Sequence, residues 1–218
     1  MHPWVDGGSA NLGLSSTPDI PMATQPELLQ ILDGAIHSAV VRSGAHLVCR
    51  PGCAQCCHGV FEVSALDAGR LRDGLANAPA DVQDRIVARV RAAREHLGPF
   101  FPGDLVTGVL HPDAEALELF EEWAHADPCP ILDPATQTCD LYAARPVLCR
   151  TFGPPIRNDP DDLEAGLAIC ELCFTEATQA EILAAEVDSG FRAVQEAEEA
   201  AYEAAHPGCG PTIIAFAF

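Results

Sequence analysis

The sequence has no lysine; all twelve of its basic residues are arginine. That excludes Schiff-base catalysis and the phosphate-gripping lysine of a Walker A loop. Positive charge is scarce altogether, with twelve arginines against thirty-two acidic residues and a net charge of -20 at pH 7. A field of that sign repels phosphate backbones and anionic lipid, so neither nucleic acid nor a membrane surface is an expected partner. No apolar run reaches the length of a membrane span, and residues 1–8 have neither a basic n-region nor an apolar h-region. The expected compartment is the cytoplasm. Several enzyme signatures are also missing: G-x-G-x-x-G after a strand, H-E-x-x-H and G-x-S-x-G. No internal repeat is visible.

What the chain does have is cysteine, ten in 218 residues. Cys49, Cys53, Cys56 and Cys57 fall in C-R-P-G-C-A-Q-C-C. Cys129, Cys139 and Cys149 follow in a proline-rich stretch, then Cys170 and Cys173 in C-E-L-C, and only Cys209 stands apart. In a reducing compartment, grouped thiols point to metal or redox chemistry rather than to disulfides. A thiolate is a soft anionic donor, and four of them satisfy a tetrahedral zinc or the outer sites of an iron-sulfur cluster. Nine grouped thiols allow two sites. Cys56 and Cys57 are adjacent, so their side chains diverge, and at least one should look beyond its own run for partners. Cys129, Cys139 and Cys149 are one thiol short of a closed set. The spacing therefore predicts that 49–57 and 129–149 converge, with Cys170 or Cys173 filling the place left in the first run.

The C-x3-C-x2-C-C run, the F-E-V-S-A-L-D-A-G-R-L that follows it, and C-P-I-L…C-D-L-Y-A-A-R-P-V-L-C-R-T-F-G together resemble the YkgJ-type cysteine-cluster family, described as zinc- or iron-chelating proteins. The resemblance covers about 49–173 and is most specific in R-P-x-x-C-R. It implies that Cys49, Cys53, Cys56, Cys57, Cys129, Cys139 and Cys149 are metal ligands, with Cys170 and Cys173 joining them, and that the cofactor is zinc or iron, including the option of a 4Fe-4S cluster. The family usually has two residues between its first two cysteines, where this chain has three. It also includes a flagellin lysine methylase with a related cluster, a precedent that permits an enzyme.

Arg145 and Arg150 flank Cys149, and Arg50 follows Cys49; in so acidic a chain their place beside thiolates suits them to offset the charge of a ligated site. The alternative for them is ordinary pairing with nearby carboxylates. His58 reads as a neighbour or hydrogen-bonding supporter of a site rather than a ligand, and Tyr142 and Phe152 as packing around it.

The fold class expected is mainly α, with irregular cysteine-rich loops between helices and little β. Residues 1–23 read as a flexible arm and 24–218 as a single metal-binding domain. Thr24-x-x-Glu27 and a stripe of Leu28, Leu32, Ala35 and Ala39 predict a helix to about Val41, ended by Gly44. Ser64-x-x-Asp67 opens another that stops before Pro79, and Val82, Ile86, Val90, Ala93 and Leu97 mark a third. Residues 113–124 read as a helix with Leu117, Phe120 and Trp123 inward. Thr178-x-x-Glu181 caps one long helix, striped by Leu183, Val187, Phe191 and Val194, that runs to His206, and T-I-I-A-F-A-F reads as a strand.

Two functions compete at this level: a metal-binding protein whose site is structural or stores metal, and an iron-sulfur enzyme with redox or alkyl-transfer chemistry. The spacing of Cys49, Cys53 and Cys56 is also that of radical S-adenosylmethionine enzymes. Against that reading, Gln55 stands where those enzymes carry an aromatic, and the alternating strands and helices of their barrel are missing.

Overall fold

The computed structural model describes residues 25–159, 162 and 166–218. The arm expected over 1–23 and the Thr24 half of its neighbouring capping box lie outside the described residues. In chain order the elements are α1 (Gln25–Ser43), β1 (Glu62–Val63), α2 (Ala65–Ala76), α3 (Ala80–Leu97), α4 (Ala114–Trp123), β2 (Leu132–Asp133), β3 (Thr138–Cys139), α5 (Val147–Thr151), β4 (Ile156–Arg157), β5 (Leu167–Ala168), α6 (Gln179–Ala184), α7 (Arg192–Ala205) and β6 (Thr212–Ile213). The strands form antiparallel pairs, β1 with β6, β2 with β3 and β4 with β5. The chain is mainly α with little β, as its stripes and turn residues predict.

Side-chain caps open α2, α4 and α6, and α1 and α3 bury much of the stripe the sequence marks. Leu28, Leu32 and Ala39 of α1 are fully buried, and α1 ends at Gly44, whose φ of +52° suits a residue without a Cβ. The Ser64 hydroxyl accepts from the Asp67 N–H at 3.2 Å to open α2. Asp113 does the same for the Ala116 N–H at 3.1 Å to open α4. Ile86, Val90 and Leu97 of α3 face the core, each such burial stabilising the fold by about 1.5–3 kcal/mol.

Three expectations are corrected. Trp123 is exposed rather than inward; its ring lies against Phe100 and His96, with centroids 4.6 and 5.2 Å away, so it finds partners at the surface. The single helix expected from Thr178 to His206 is two, α6 and α7, with Leu183 exposed. Tertiary bonds break it: Val187 N–H donates to Pro155 O at 2.8 Å, Arg157 clamps the Glu186 carboxylate, and the Asp188 side chain takes the Gly190 N–H. The tail is strand only at Thr212–Ile213 and then turns as a 3-10 helix over Ile214–Phe216, which lets Phe216 stack on Phe101 at 4.0 Å.

Below these elements lies a charged network that organises the helices. Asp67 and Arg70 on α2 are both buried. One Asp67 oxygen pairs with Arg70 at 2.9 Å, and Arg70 reaches Glu198 on α7 at 3.1 Å. The other Asp67 oxygen accepts from Val147 N–H at 2.8 Å, holding the first turn of α5. Burial raises the Asp67 pKa, while the Val147 N–H and the Arg70 charge pull it down. Removing one partner of a buried network leaves the others charged or unpaired, so Asp67→Ala should cost about 3–5 kcal/mol. A urea midpoint shifted far more by Asp67→Ala than by Asp81→Ala, which breaks the exposed pair with Arg85, is the expected result. Equal shifts would remove Asp67 from this role.

Candidate metal centre

The first cysteine run folds back through a turn in which Cys53 N–H donates to Arg50 O at 2.9 Å, then tightens into a 3-10 turn over Gln55–Cys57. Gly52, at φ +87°, supplies the left-handed step of that turn. The second run meets it directly: Cys129 N–H donates to Cys57 O at 2.7 Å, and His58 bridges to Pro128. Cys139 lies in β3, opposite Leu132, and Cys149 on α5. These three cysteines pack on the edge of a core built from Val63, Leu71, Ile86, Ile131, Leu141 and Ile214. Cys170 and Cys173 share a second, smaller cluster with Phe174, Ala185 and Leu47.

Electrostatic influence divides the nine thiols in two. Cys57 feels Cys129, Cys139 and Cys149, and Cys149 in turn feels Cys129, Cys139 and Cys56. Cys49 feels Cys173, Cys170 and Cys53, and hydrogen-bonds Cys173. The first run is therefore split between its neighbours: Cys56 and Cys57 face the 129–149 region, while Cys49 and Cys53 face the C-E-L-C pair. Among the described residues, no group of three or more histidine, cysteine or carboxylate side chains is already set around an ion position. Cys209 is influenced by Glu203 and Arg72 and by no other thiol.

The two groups share one electrostatic signature. Burial pushes the Cys49 thiol up to about 12, with Cys173, Cys170 and Cys53 adding to the rise. Burial likewise holds Cys129 up at about 12 and raises Cys139, Cys149 and Cys170. Cys56 is raised mainly by its hydrogen bond to Cys57, and that same bond lowers Cys57, so Cys57 is the thiol of the pair that ionises first. Thiols this crowded keep their protons because each new thiolate would sit beside others in a partly desolvated site; a cation is what lets them ionise together.

Arg145 answers part of that need. Its charge favours the thiolates of Cys56, Cys139 and Cys149. One guanidinium nitrogen reaches Cys149 O at 3.4 Å, the group lies 3.7 Å over the Tyr142 ring, and its buried Nε has no hydrogen-bond partner. Arg150 is occupied otherwise, by Asp33 at 3.0 Å and by the carbonyls of Arg145 and Ala143. It ties the turn before α5 to α1. Arg50 is exposed at the start of the first loop. His58 places Nδ1 3.0 Å from Ala54 O, and Phe152 lies 6.3 Å from Phe61.

Two residues important to this geometry escaped the sequence reading. Asp67 reads only as a capping partner, yet its side chain holds Val147 two residues before Cys149. Gly153 lies at φ +119°, and a Cβ there would sit 3.2 Å from both the Cys49 sulfur and Leu47. Its carbonyl also accepts from Cys170 N–H at 3.5 Å. The signal was in the text all along, as the D of S-A-L-D and the G of R-T-F-G, but neither letter states which strand of chain it will meet.

Nine thiols drawn from three distant runs onto one helical frame define a cysteine-cluster protein with the donor chemistry of a metal chelator. The chain belongs to the CxxCxxCC family, described as "Putative zinc- or iron-chelating domain", whose model matches residues 48–173. That membership supports zinc or iron binding. No curated protein and no solved structure matches the chain. No helix among the described residues is long and apolar enough to cross a membrane.

Raised thiols make a definite pH prediction. In the metal-free protein they contribute stability that is present below their ordinary value of 9.0 and is lost as pH climbs toward about 12, where Cys49 and Cys129 ionise. Cys57, lowered, opposes this. Ion uptake runs the other way, since every ligating thiol must release its proton. Zinc affinity should therefore rise with pH between about 6 and 8, with more than one proton released per zinc when titrated calorimetrically in buffers of different ionisation heat. A pH-independent affinity would refute it.

Proposed function

We propose that the chain binds two metal centres through separate thiolate sets. Cys49, Cys53, Cys170 and Cys173 form the first, a complete tetrahedral complement of four sulfurs. Cys56, Cys57, Cys129, Cys139 and Cys149 supply the second, with Arg145 offsetting its negative charge and Arg150 bracing the turn that presents Cys149. The observation that carries this reading is that the first run meets two separate cysteine groups: Cys57 O accepts from Cys129 N–H at 2.7 Å, while the Cys49 sulfur lies against Gly153, whose carbonyl accepts from Cys170 N–H. Zinc would supply structural ligation in such sites and would order loops with little apolar content of their own.

A second reading is favoured by the fifth thiol of the larger set. Four donors saturate one zinc or one cubane cluster, and an extra sulfur leaves room for an iron-sulfur centre with redox or alkyl-transfer chemistry. Metal and acid-labile sulfide analysis of anaerobically purified protein, with its visible spectrum, separates the two. Zinc gives a colourless, sulfide-free protein, and an iron-sulfur centre gives a brown one with matching sulfide.

Substitution tests the division itself. Cys173→Ser should lose one centre and spare the other, Cys149→Ser should do the reverse, and Cys209→Ser should keep full metal content. Equal loss in all three would overturn the assignment. Chelation should also lower the melting temperature and open 49–57 and 129–155 to protease. Unchanged proteolysis after verified metal removal would argue that these loops are ordered without ligation.

A further inference from the structure

The C-terminal end of α3 and the outer side of α4 expose an apolar surface. Phe100, in the turn after α3, is 61 % exposed, Leu119 on α4 61 % and Trp123 42 %. The three are contiguous: the Phe100 and Trp123 rings lie 4.6 Å apart, and Leu119 stands one helical turn before Trp123. The surface also has a firm base. Trp123 rests on buried Phe120 at 6.0 Å, and Phe120 meets Phe101 edge to face at 6.2 Å, within the core cluster that includes Leu97 and Phe216. Single exposed leucines are ordinary on a protein surface, but tryptophan, phenylalanine and leucine held together on a rigid support have the composition of a protein-binding centre.

The rim of this surface carries one sign of charge. Glu115, Glu118 and Glu122 are all exposed on α4, with Glu115 one turn before Leu119 and Glu122 one turn after it. Among the described residues, none of the three has an ion pair. Burial raises the neighbouring Glu121, and the Glu62 and Glu118 carboxylates add to that rise. α4 has no basic residue of its own. The basic groups nearby are engaged: Arg94 reaches the Phe218 and Leu105 carbonyls at 3.2 and 3.3 Å, His96 meets Asp127 at 3.2 Å, and His125 turns Nδ1 to Glu122 O at 2.8 Å.

We propose that this face docks a segment of a partner protein in which apolar side chains are flanked by lysine or arginine. Contact with Phe100, Leu119 and Trp123 supplies the affinity, and the three unpaired carboxylates select the sign of the flanking charge. A second copy of this chain is the wrong occupant, because two such faces would set like carboxylates against one another. None of these residues belongs to either thiolate set, so the surface is independent of the metal reading.

Fluorescence anisotropy of a labelled amphipathic peptide of leucine and lysine, titrated with the metal-replete full chain at about 150 mM salt, provides the test. The peptide should bind saturably and one to one, and its counterpart with serine in place of leucine should bind at least about tenfold more weakly. Leu119→Ser, a change at an exposed position, should weaken the leucine-lysine peptide at least about tenfold. Glu115→Gln combined with Glu122→Gln should weaken it at least about threefold. Glu196→Gln combined with Glu203→Gln removes the same charge from exposed positions of α7 and should leave binding within about twofold of the unaltered chain. Equal weakening by the two glutamine pairs would mean that net charge alone attracts the peptide, and would overturn the proposal. So would binding that survives Leu119→Ser, or no saturable binding, including the case in which residues 1–24 occupy the face. Sedimentation of the chain alone should give a monomer; a dimer dispersed by Leu119→Ser would assign the face to a second copy instead.

Discussion

The Asp67 carboxylate is the constraint around which the helices are arranged. It is buried, it is charged, and its two oxygens face different partners: Arg70, and through it Glu198 on α7, on one side, and the Val147 N–H of α5 on the other. A buried charge is tolerated only where its surroundings satisfy it, so α2, α5 and α7 must take up mutually consistent positions or leave a charge stranded. Apolar contacts alone would allow these short elements to slide. The carboxylate removes that freedom and, by fixing the first turn of α5, also fixes where Cys149 stands relative to the cysteines of β3 and the first run.

R-P-x-x-C-R gains a physical meaning from this arrangement. Pro146 has no N–H to satisfy and opens the short helix. Val147 N–H is taken by Asp67, Arg145 turns back over Cys149 O and the Tyr142 ring, and Arg150 secures the carbonyls of the turn before it. Each letter of the motif thus either starts the helix, holds it in place or offsets charge around its sulfur.

Much of the fold was legible because it depends on local rules. Ser64 and Asp113 announce helix starts through their own side chains, and Leu28, Leu32, Ile86 and Val90 recur at helical spacing wherever a helix forms. What was not legible depends on partners far away in the chain. The stripe from Leu183 to Val194 is a good helical pattern, but Val187 N–H meets Pro155 and Glu186 meets Arg157, and neither contact leaves a trace in local periodicity. The cysteines were legible as a chemistry and as runs that must converge. Their sorting was not, because the turn between Cys53 and Cys56 sends adjacent donors of one run toward opposite neighbours. Gly153 illustrates the same limit, since its need to be small comes from the Cys49 sulfur.

The pairing of β1 with β6, Glu62 against Ile213, joins a segment just beyond the first cysteine run to the far end of the described chain. A polypeptide emerging from the ribosome makes β1 early and β6 late, and contacts so distant in sequence form slowly because the loop they close is long. Until β6 emerges, Cys49, Cys53, Cys56 and Cys57 stand beside an unpaired β1, and until the C-E-L-C pair emerges they stand without Cys170 and Cys173. During that interval the early cysteines are open to oxidation and to capture by whatever soft cation is at hand. The long-range closure of a two-residue strand pair thus leaves an interval during synthesis in which the first cysteine run lacks both its distant strand and its distant cysteines.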